Sequence, residues 1–171
     1  MLNENEIVAQ CLVFFIAGFE TTASTLTYLS FELAANPEVQ ERLYEEIQSV
    51  VDPTEMDRSS NEYFDSVVNR IPYLDAVIKE TLRKYPPVTR LERRVTVDSY
   101  KLNGIELPRD MVVEIPTVAV HYNPEYYFEP ERYNPDRWMG ENKKNLTPYT
   151  YLPFGEGPRN CVGMRFEIGR A

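Results

Sequence analysis

A chain of 171 residues that is 43% hydrophobic and 12% aromatic can bury one ordinary core, so it reads as one domain or a piece of a larger one and not as a disordered tail. Its formal net charge of −9 favours solubility and excludes nucleic acid as a main partner, because phosphate contacts need a basic face. Two cysteines, Cys11 and Cys161, stand too far apart for a disulfide framework or a paired zinc spacing, which fits a reduced compartment.

From Asn3 to Ala35 there is no proline and one glycine, Gly18, so a single long helix is expected, apolar nearly all round at its centre and placed in the middle of a fold. Its longest apolar run, Cys11 to Phe19, stops at Glu20, short of the roughly 20 residues a spanning helix needs. No signal peptide opens the chain and no segment is expected to cross a membrane, while an anchor upstream stays open. Asn36-Pro37 reads as the cap and first-turn proline of a second helix, with Val39, Leu43, Ile47 and Val50 in one stripe. Asp52 to Asn61 is a polar loop, Glu62 to Asn69 a short helix, and Pro72 to Lys84 a further helix ended by Pro86-Pro87. A strand from Arg94 to Tyr100, a hairpin turning at Asn103-Gly104 and a strand from Met111 to Ile115 make a small β region. Between His121 and Thr150 the prolines at 124, 130, 135 and 148 forbid regular elements, yet six aromatic residues from Tyr122 to Trp138 require a packed meander. An amphipathic start, Met164 to Ala171, closes the chain while still helical in pattern.

The loop Pro153-Phe154-Gly155-Glu156-Gly157-Pro158-Arg159-Asn160-Cys161-Val162-Gly163 is the most specific feature. Three glycines and two prolines make a stiff turn that lets backbone approach something flat, and Cys161 falls at a helix start where amides can stabilise an anionic sulfur. A lone cysteine is more often a small buried hydrophobe, but these surroundings outweigh that reading. Glu80 and Arg83 lie three apart on one helix face, by itself an exposed ion pair worth about 0.2–0.5 kcal/mol. Glu20 and Thr21 interrupt the apolar stretch after Ala17-Gly18. Their plain reading has Thr21 bonding back to the Ala17 carbonyl and Glu20 finding a cation. Arg83, Lys84, Arg90, Arg93 and Arg94 form a basic cluster in an acidic chain, by default a solvated patch. The one histidine, His121, could serve Cys161 as a base, which leaves a cysteine hydrolase as an alternative chemistry.

The loop resembles the signature of the cytochrome P450 superfamily, Phe-Gly-x-Gly-x-Arg-x-Cys-x-Gly, met here by Phe154, Gly155, Gly157, Arg159, Cys161 and Gly163. Glu156 stands where the family often has a smaller residue. The resemblance implies a mainly α fold with a small β region, holding haem b with Cys161 as the axial iron ligand. Phe154, Gly155, Gly163 and Ala17 would line the haem, and Arg159 and Arg93 would meet its propionates. Glu80-Thr81-Leu82-Arg83 resembles the family's buried Glu-x-x-Arg pair, completed by a later arginine: Arg137 in Asn134-Pro135-Asp136-Arg137-Trp138, with Arg132 the rival and Trp138 in place of a usual Phe. Ala17 to Thr22 resembles the distal helix, whose acid and alcohol, here Glu20 and Thr21, relay protons to bound dioxygen. The stretch from Glu80-Thr81-Leu82-Arg83 through Arg90-Leu91-Glu92-Arg93 is similar to the animal drug- and xenobiotic-metabolising branch, which puts Val88 and Thr89 near the substrate pocket, with Phe14 and Ala17 of the distal helix on its wall. The reaction implied by the resemblance is insertion of one oxygen atom into a small lipophilic substrate. Electrons would come from NADPH through a flavoprotein reductase, at the cytoplasmic face of the endoplasmic reticulum membrane. By family comparison, residues 1–171 are part of a single domain, cut at both ends and lacking the N-terminal anchor. A haem-thiolate isomerase or dehydratase, and a haem-binding protein without turnover, are the alternatives within this reading.

Overall fold

Helix α1 (Glu4–Ala35) begins where Asn3 can cap it: Asn3 Oδ1 accepts from the Glu6 N–H at 3.0 Å, and Glu6 Oε2 accepts from the Asn3 N–H at 2.8 Å. This reciprocal box satisfies amides that the first turn leaves without partners. The protein is seen here as a computed structural model, which describes residues 2–50, 60, 61, 63, 65, 70–165 and 168. The expected loop at 52–61 and short helix at 62–69 lie largely outside the described residues, as does most of the closing helix, of which Met164 and Arg165 are helical.

At the far end of α1, Asn36 Nδ2 donates to the Glu32 carbonyl and carboxylate at 2.8 and 3.0 Å. Asn36 therefore closes α1 and does not cap the next helix with its side chain, contrary to expectation. Helix α2 (Pro37–Val50) starts on proline, whose missing N–H costs nothing there, and buries Val39 and Leu43 with Ile47 and Val50 beside them. Helix α3 (Pro72–Lys84) also starts on proline and is the central element. Tyr73, Ala76, Val77, Ile78 and Leu82 are buried, and so are Glu80, Thr81 and Arg83.

The central place was expected for α1; within these residues α3 occupies it. Only Thr22, Thr25 and Glu32 of α1 are buried, because α3 packs along its second half and most of its first half is exposed among the described residues. By length and composition alone α1 is long and apolar enough to cross a membrane. Its packing against α3 is that of a helix belonging to a domain.

Beyond Pro86-Pro87 come β1 (Leu91–Arg94), β2 (Ser99–Leu102), β3 (Ile105–Pro108) and β4 (Val112–Ile115). They form two antiparallel pairs, β1 with β4 (Leu91 opposite Ile115) and β2 with β3 (Leu102 opposite Ile105). The hairpin turns at Asn103-Gly104 as expected, with φ of 47° and 86°, the left-handed conformation these residues tolerate. The expected strand from Arg94 to Tyr100 is instead the end of one ladder and the start of another. Val95 bonds Met111 and Asp110 across the junction, and the chain bends at 97–98.

Short helices also interrupt the region expected to hold none. Helix α4 (Thr117–His121) enters it, a 3-10 turn (Pro135–Trp138) begins on Pro135, and α5 (Gly140–Lys144) comes next. Proline forbids helix interiors, not first turns. Of the six aromatic residues expected to pack, Tyr127, Tyr133 and Trp138 join Val39, Leu43, Tyr73 and Val77 in one core, while Tyr126 and Phe128 stay exposed. The architecture is mainly helical with a small β region.

Candidate functional site

Glu80 and Arg83 are both fully buried, and the geometry around them accounts for every charge. Arg83 Nε and Nη2 donate to the two Glu80 oxygens at 2.9 Å each. Glu80 Oε1 also accepts from the Asn134 N–H at 3.0 Å and from Arg137 Nε at 3.2 Å, and Oε2 accepts from Trp138 Nε1 at 3.0 Å. Arg83 reaches on to the carbonyls of His121 and Pro130, each at 2.8 Å, and Arg137 to that of Glu129 at 2.6 Å. Arg132 contributes its carbonyl, at 3.5 Å from both guanidinium groups, while its side chain pairs with Glu129 at the surface. A buried ion pair is favourable only when its remaining donors and acceptors are satisfied, and this one is. It ties α3 to the meander through both backbone and side-chain partners. Trp138 supplies a donor that a phenylalanine would lack.

His121 lies against the same pair with none of its surface exposed. Its Nδ1 is 2.9 Å from the Arg83 carbonyl and its Nε2 accepts from the Leu152 N–H at 2.8 Å. Burial, before any neighbouring charge, lowers its pKa from 6.5 to about 4. Both ring nitrogens are engaged away from Cys161, so the cysteine–histidine hydrolase alternative has no base.

The cysteine loop is held by backbone. Cys161 N–H donates to the Phe154 carbonyl at 2.8 Å and Gly155 N–H to the Leu152 carbonyl at 3.1 Å. Gly155 and Gly157 have φ of 70° and 80°, where a side chain would be strained, and a Cβ on Gly155 would also meet Leu91 and the Asn160 backbone. A Cβ placed on Gly163 would lie 3.8 Å from the Cys161 sulfur. Cys161, Arg159 and Arg93 are exposed, and among the described residues the Arg93 side chain bonds the neighbouring Glu92 carbonyl alone, at 2.8 Å. Phe154 is half-buried beside them in the chain. Among the described residues no three His, Cys, Asp or Glu side chains gather to hold a metal ion. One free thiol in a glycine-rich turn suits a metal that brings its other ligands with it, and in that sense the residues fit haem.

On α1, Ile16, Ala17, Glu20, Thr21 and Ser24 line a cleft of about 270 Å³ closed below by Pro87. The Thr21 hydroxyl donates to the Ala17 carbonyl at 2.6 Å, the bond expected on the plain reading, while Glu20 makes no ion pair or hydrogen bond among the described residues. The structure gathers Ala17, Glu20 and Thr21 here, but Phe14, Val88 and Thr89 lie outside the lining. Thr89 offers its carbonyl to the Val118 N–H at 3.4 Å, and Phe14 and Val88 are exposed. Sequence reasoning misses Ile16, Ser24 and Pro87. Helical spacing from Glu20, four residues in either direction, is the signal that finds Ile16 and Ser24. The turn enforced by Pro86-Pro87 gives no local sign that it returns under α1.

The family model described as cytochrome P450 matches residues 1–167. The chain is 46% identical over 167 residues to cytochrome P450 3A40 of Oryzias latipes, covering 98% of this chain and 32% of that protein. Cytochrome P450 3A7 of Homo sapiens is 42% identical and cytochrome P450 3A9 of Rattus norvegicus 43%, with the same coverage. The chain thus spans about a third of the length of the curated relatives it matches, at 32%. A match that runs unbroken from α1 through the cysteine loop, at this identity, makes the chain a member of the cytochrome P450 family.

Proposed function

We propose that this chain carries the thiolate and proton-handling residues of a haem-dependent monooxygenase acting on a small lipophilic substrate. The observation that carries the reading is an exposed cysteine held by its own amide in a glycine turn, in a chain whose core holds a buried Glu80–Arg83–Arg137 cluster. Cys161 Sγ is the iron ligand in this reading, with Phe154, Gly155, Gly163 and Ala17 against the haem. Arg159 and Arg93, free to move their guanidinium groups, pair with its propionates. Haem bound there would supply oxygen activation, its iron gaining electron density from the thiolate, which favours cleavage of the oxygen–oxygen bond.

Glu20 holds a proton at its carboxylate in the α1 cleft and passes it through Thr21 Oγ1. The Thr21 hydroxyl donates to the Ala17 carbonyl, so in a relay it accepts on a lone pair and turns its own O–H away from Ala17 to pass that hydrogen on. Ala17 and the apolar residues around Phe14 leave space on the distal side, and Val88 and Thr89 complete the substrate wall. Glu80, Arg83 and Arg137 are structural, keeping the meander in place so that the loop can form. One oxygen atom enters the substrate and the other leaves as water, with electrons drawn from NADPH through a flavoprotein reductase. The reading is completed by an animal xenobiotic-metabolising enzyme at the endoplasmic reticulum membrane, of whose single domain residues 1–171 are a part; the animal source of the 3A relatives supports its animal branch.

The test uses the protein expressed from its complete gene. A carbon monoxide difference spectrum should give a thiolate-ligated Soret band, lost in Cys161→Ser together with NADPH-dependent product. An unaltered band and full activity in Cys161→Ser would sink the reading, and a band without reductase-dependent product would point to the isomerase or non-catalytic alternatives.

A further inference from the structure

Two supports of the site, the buried cluster on α3 and the cysteine loop, are joined through one side chain. We propose that His121 is a positioning residue that hangs the Cys161 loop on the Glu80–Arg83 pair, acting as a neutral imidazole locked in one tautomer. Its importance to chemistry rests on the reading of Cys161 as the iron ligand; its geometry does not.

The Arg83 carbonyl can only accept, so Nδ1 must carry the proton of the 2.9 Å bond. The Leu152 N–H can only donate, so Nε2 must be bare to receive it at 2.8 Å. One neutral tautomer satisfies both, and an imidazolium would set an N–H against the Leu152 N–H. The linkage is returned from the other side, since Arg83 Nη1 donates to the His121 carbonyl at 2.8 Å. Tyr151 stacks on the ring at 5.7 Å and Tyr127 meets its edge at 6.5 Å, which fixes the plane of the imidazole.

Leu152 is where this support enters the loop. Its N–H is held by His121 and its carbonyl by the Gly155 N–H, and one residue before Gly155 the Phe154 carbonyl receives the Cys161 N–H. Thus a continuous path runs from Glu80 through Arg83, His121 and Leu152 to the amide of Cys161. Its side chains are buried as far as the loop itself, so those bonds are not in competition with water.

The two halves of the bridge can be removed separately. Asparagine places an amide near the Nδ1 position and keeps the donor to Arg83 but falls short of Leu152, whereas glutamine places an acceptor near Nε2. In the 171-residue chain, exchange of the Leu152, Gly155 and Cys161 amides should be about tenfold faster in His121→Asn and within about threefold of the parent in His121→Gln. Nitrogen resonances of the parent ring should show the Nδ1-protonated neutral form, unchanged from about pH 8 to about pH 5.5. Equal exchange in the two variants, the opposite tautomer, or titration at the ordinary histidine pKa would overturn the proposal. Neither readout involves haem, so a protein that keeps this signature yet fails to ligate iron through Cys161 counts against the haem reading alone.

Discussion

At the scale of single residues, burial decides which ionisable groups this chain can keep. Glu80 is accommodated in the core because five donors meet its two oxygens. His121 is placed a few ångströms away under the opposite rule: desolvation lowers its pKa to about 4, and the nearby Arg83 charge acts in the same direction. A group held neutral by folding adds no pH dependence above its unfolded pKa of 6.5. As pH falls from there toward about 4 the unfolded chain takes up the proton first, so the folded state loses stability across that window. The loss attributable to this one group is about 3 kcal/mol. Urea unfolding between these two pH values should therefore show a steeper fall for the parent than for His121→Gln, the carboxylates titrating alike in both. Parallel curves would mean that His121 is not held neutral.

At the scale of elements, the question is what holds α1 to α3 when so little of α1 is buried. The contact centres on Glu32, which accepts from the Tyr85 hydroxyl at 2.6 Å, pairs with Lys84 at 2.7 Å and receives Asn36. Tyr28 stacks on Tyr85 at 4.2 Å beside it, and burial together with the Glu32 carboxylate pushes the Tyr85 phenol well above its ordinary pKa. Removing Glu32 strands a mostly buried ammonium and a phenol, so Glu32→Ala should cost about 3 kcal/mol in urea unfolding. Adding Lys84→Met should return at least about 1 kcal/mol by replacing the stranded charge with an apolar side chain of similar length. A double variant no more stable than Glu32→Ala would place the tie elsewhere. None of this is legible in the sequence, where Glu32 is one of many acids on a helix surface. Legible features are those with local causes: the proline starts of α2 and α3, the Asn103-Gly104 turn, the glycine loop around Cys161 and the i, i+3 spacing of Glu80 and Arg83. What escapes depends on chain-distant partners, as with Glu32 and Tyr85, His121 and Leu152, or Pro87 beneath Glu20. The strand break after Arg94 belongs to the same class, since Val95 is turned by residues of β4's approach and not by its own neighbours.

Taken as a whole, the molecule is unevenly covered. The α3 side has a continuous core, while Leu12, Val13, Phe14, Phe15, Ile16 and Phe19 of α1 are each more than half exposed, Phe15 at 70%. Positions 12–16 run right round the helix, so this is an apolar girdle; exposed, it is an interaction surface or a liability, because it returns to water what burial would have gained. The same openness bears on the site. The proposed thiolate ligand needs a flat apolar slot around its metal, and the proposed proton delivery from Glu20 needs water kept to a few defined places, yet Cys161 and the α1 cleft both open to solvent. Residues 1–171 expressed alone should therefore bind haem weakly, without a stoichiometric thiolate-ligated Soret band, and form no NADPH-dependent product with a reductase present. Haem titration followed by carbon monoxide difference spectroscopy measures the first, and product analysis the second. Tight one-to-one uptake with normal turnover would show that α3, the meander and the loop suffice to build the pocket, and that the uncovered face of α1 contributes nothing to it.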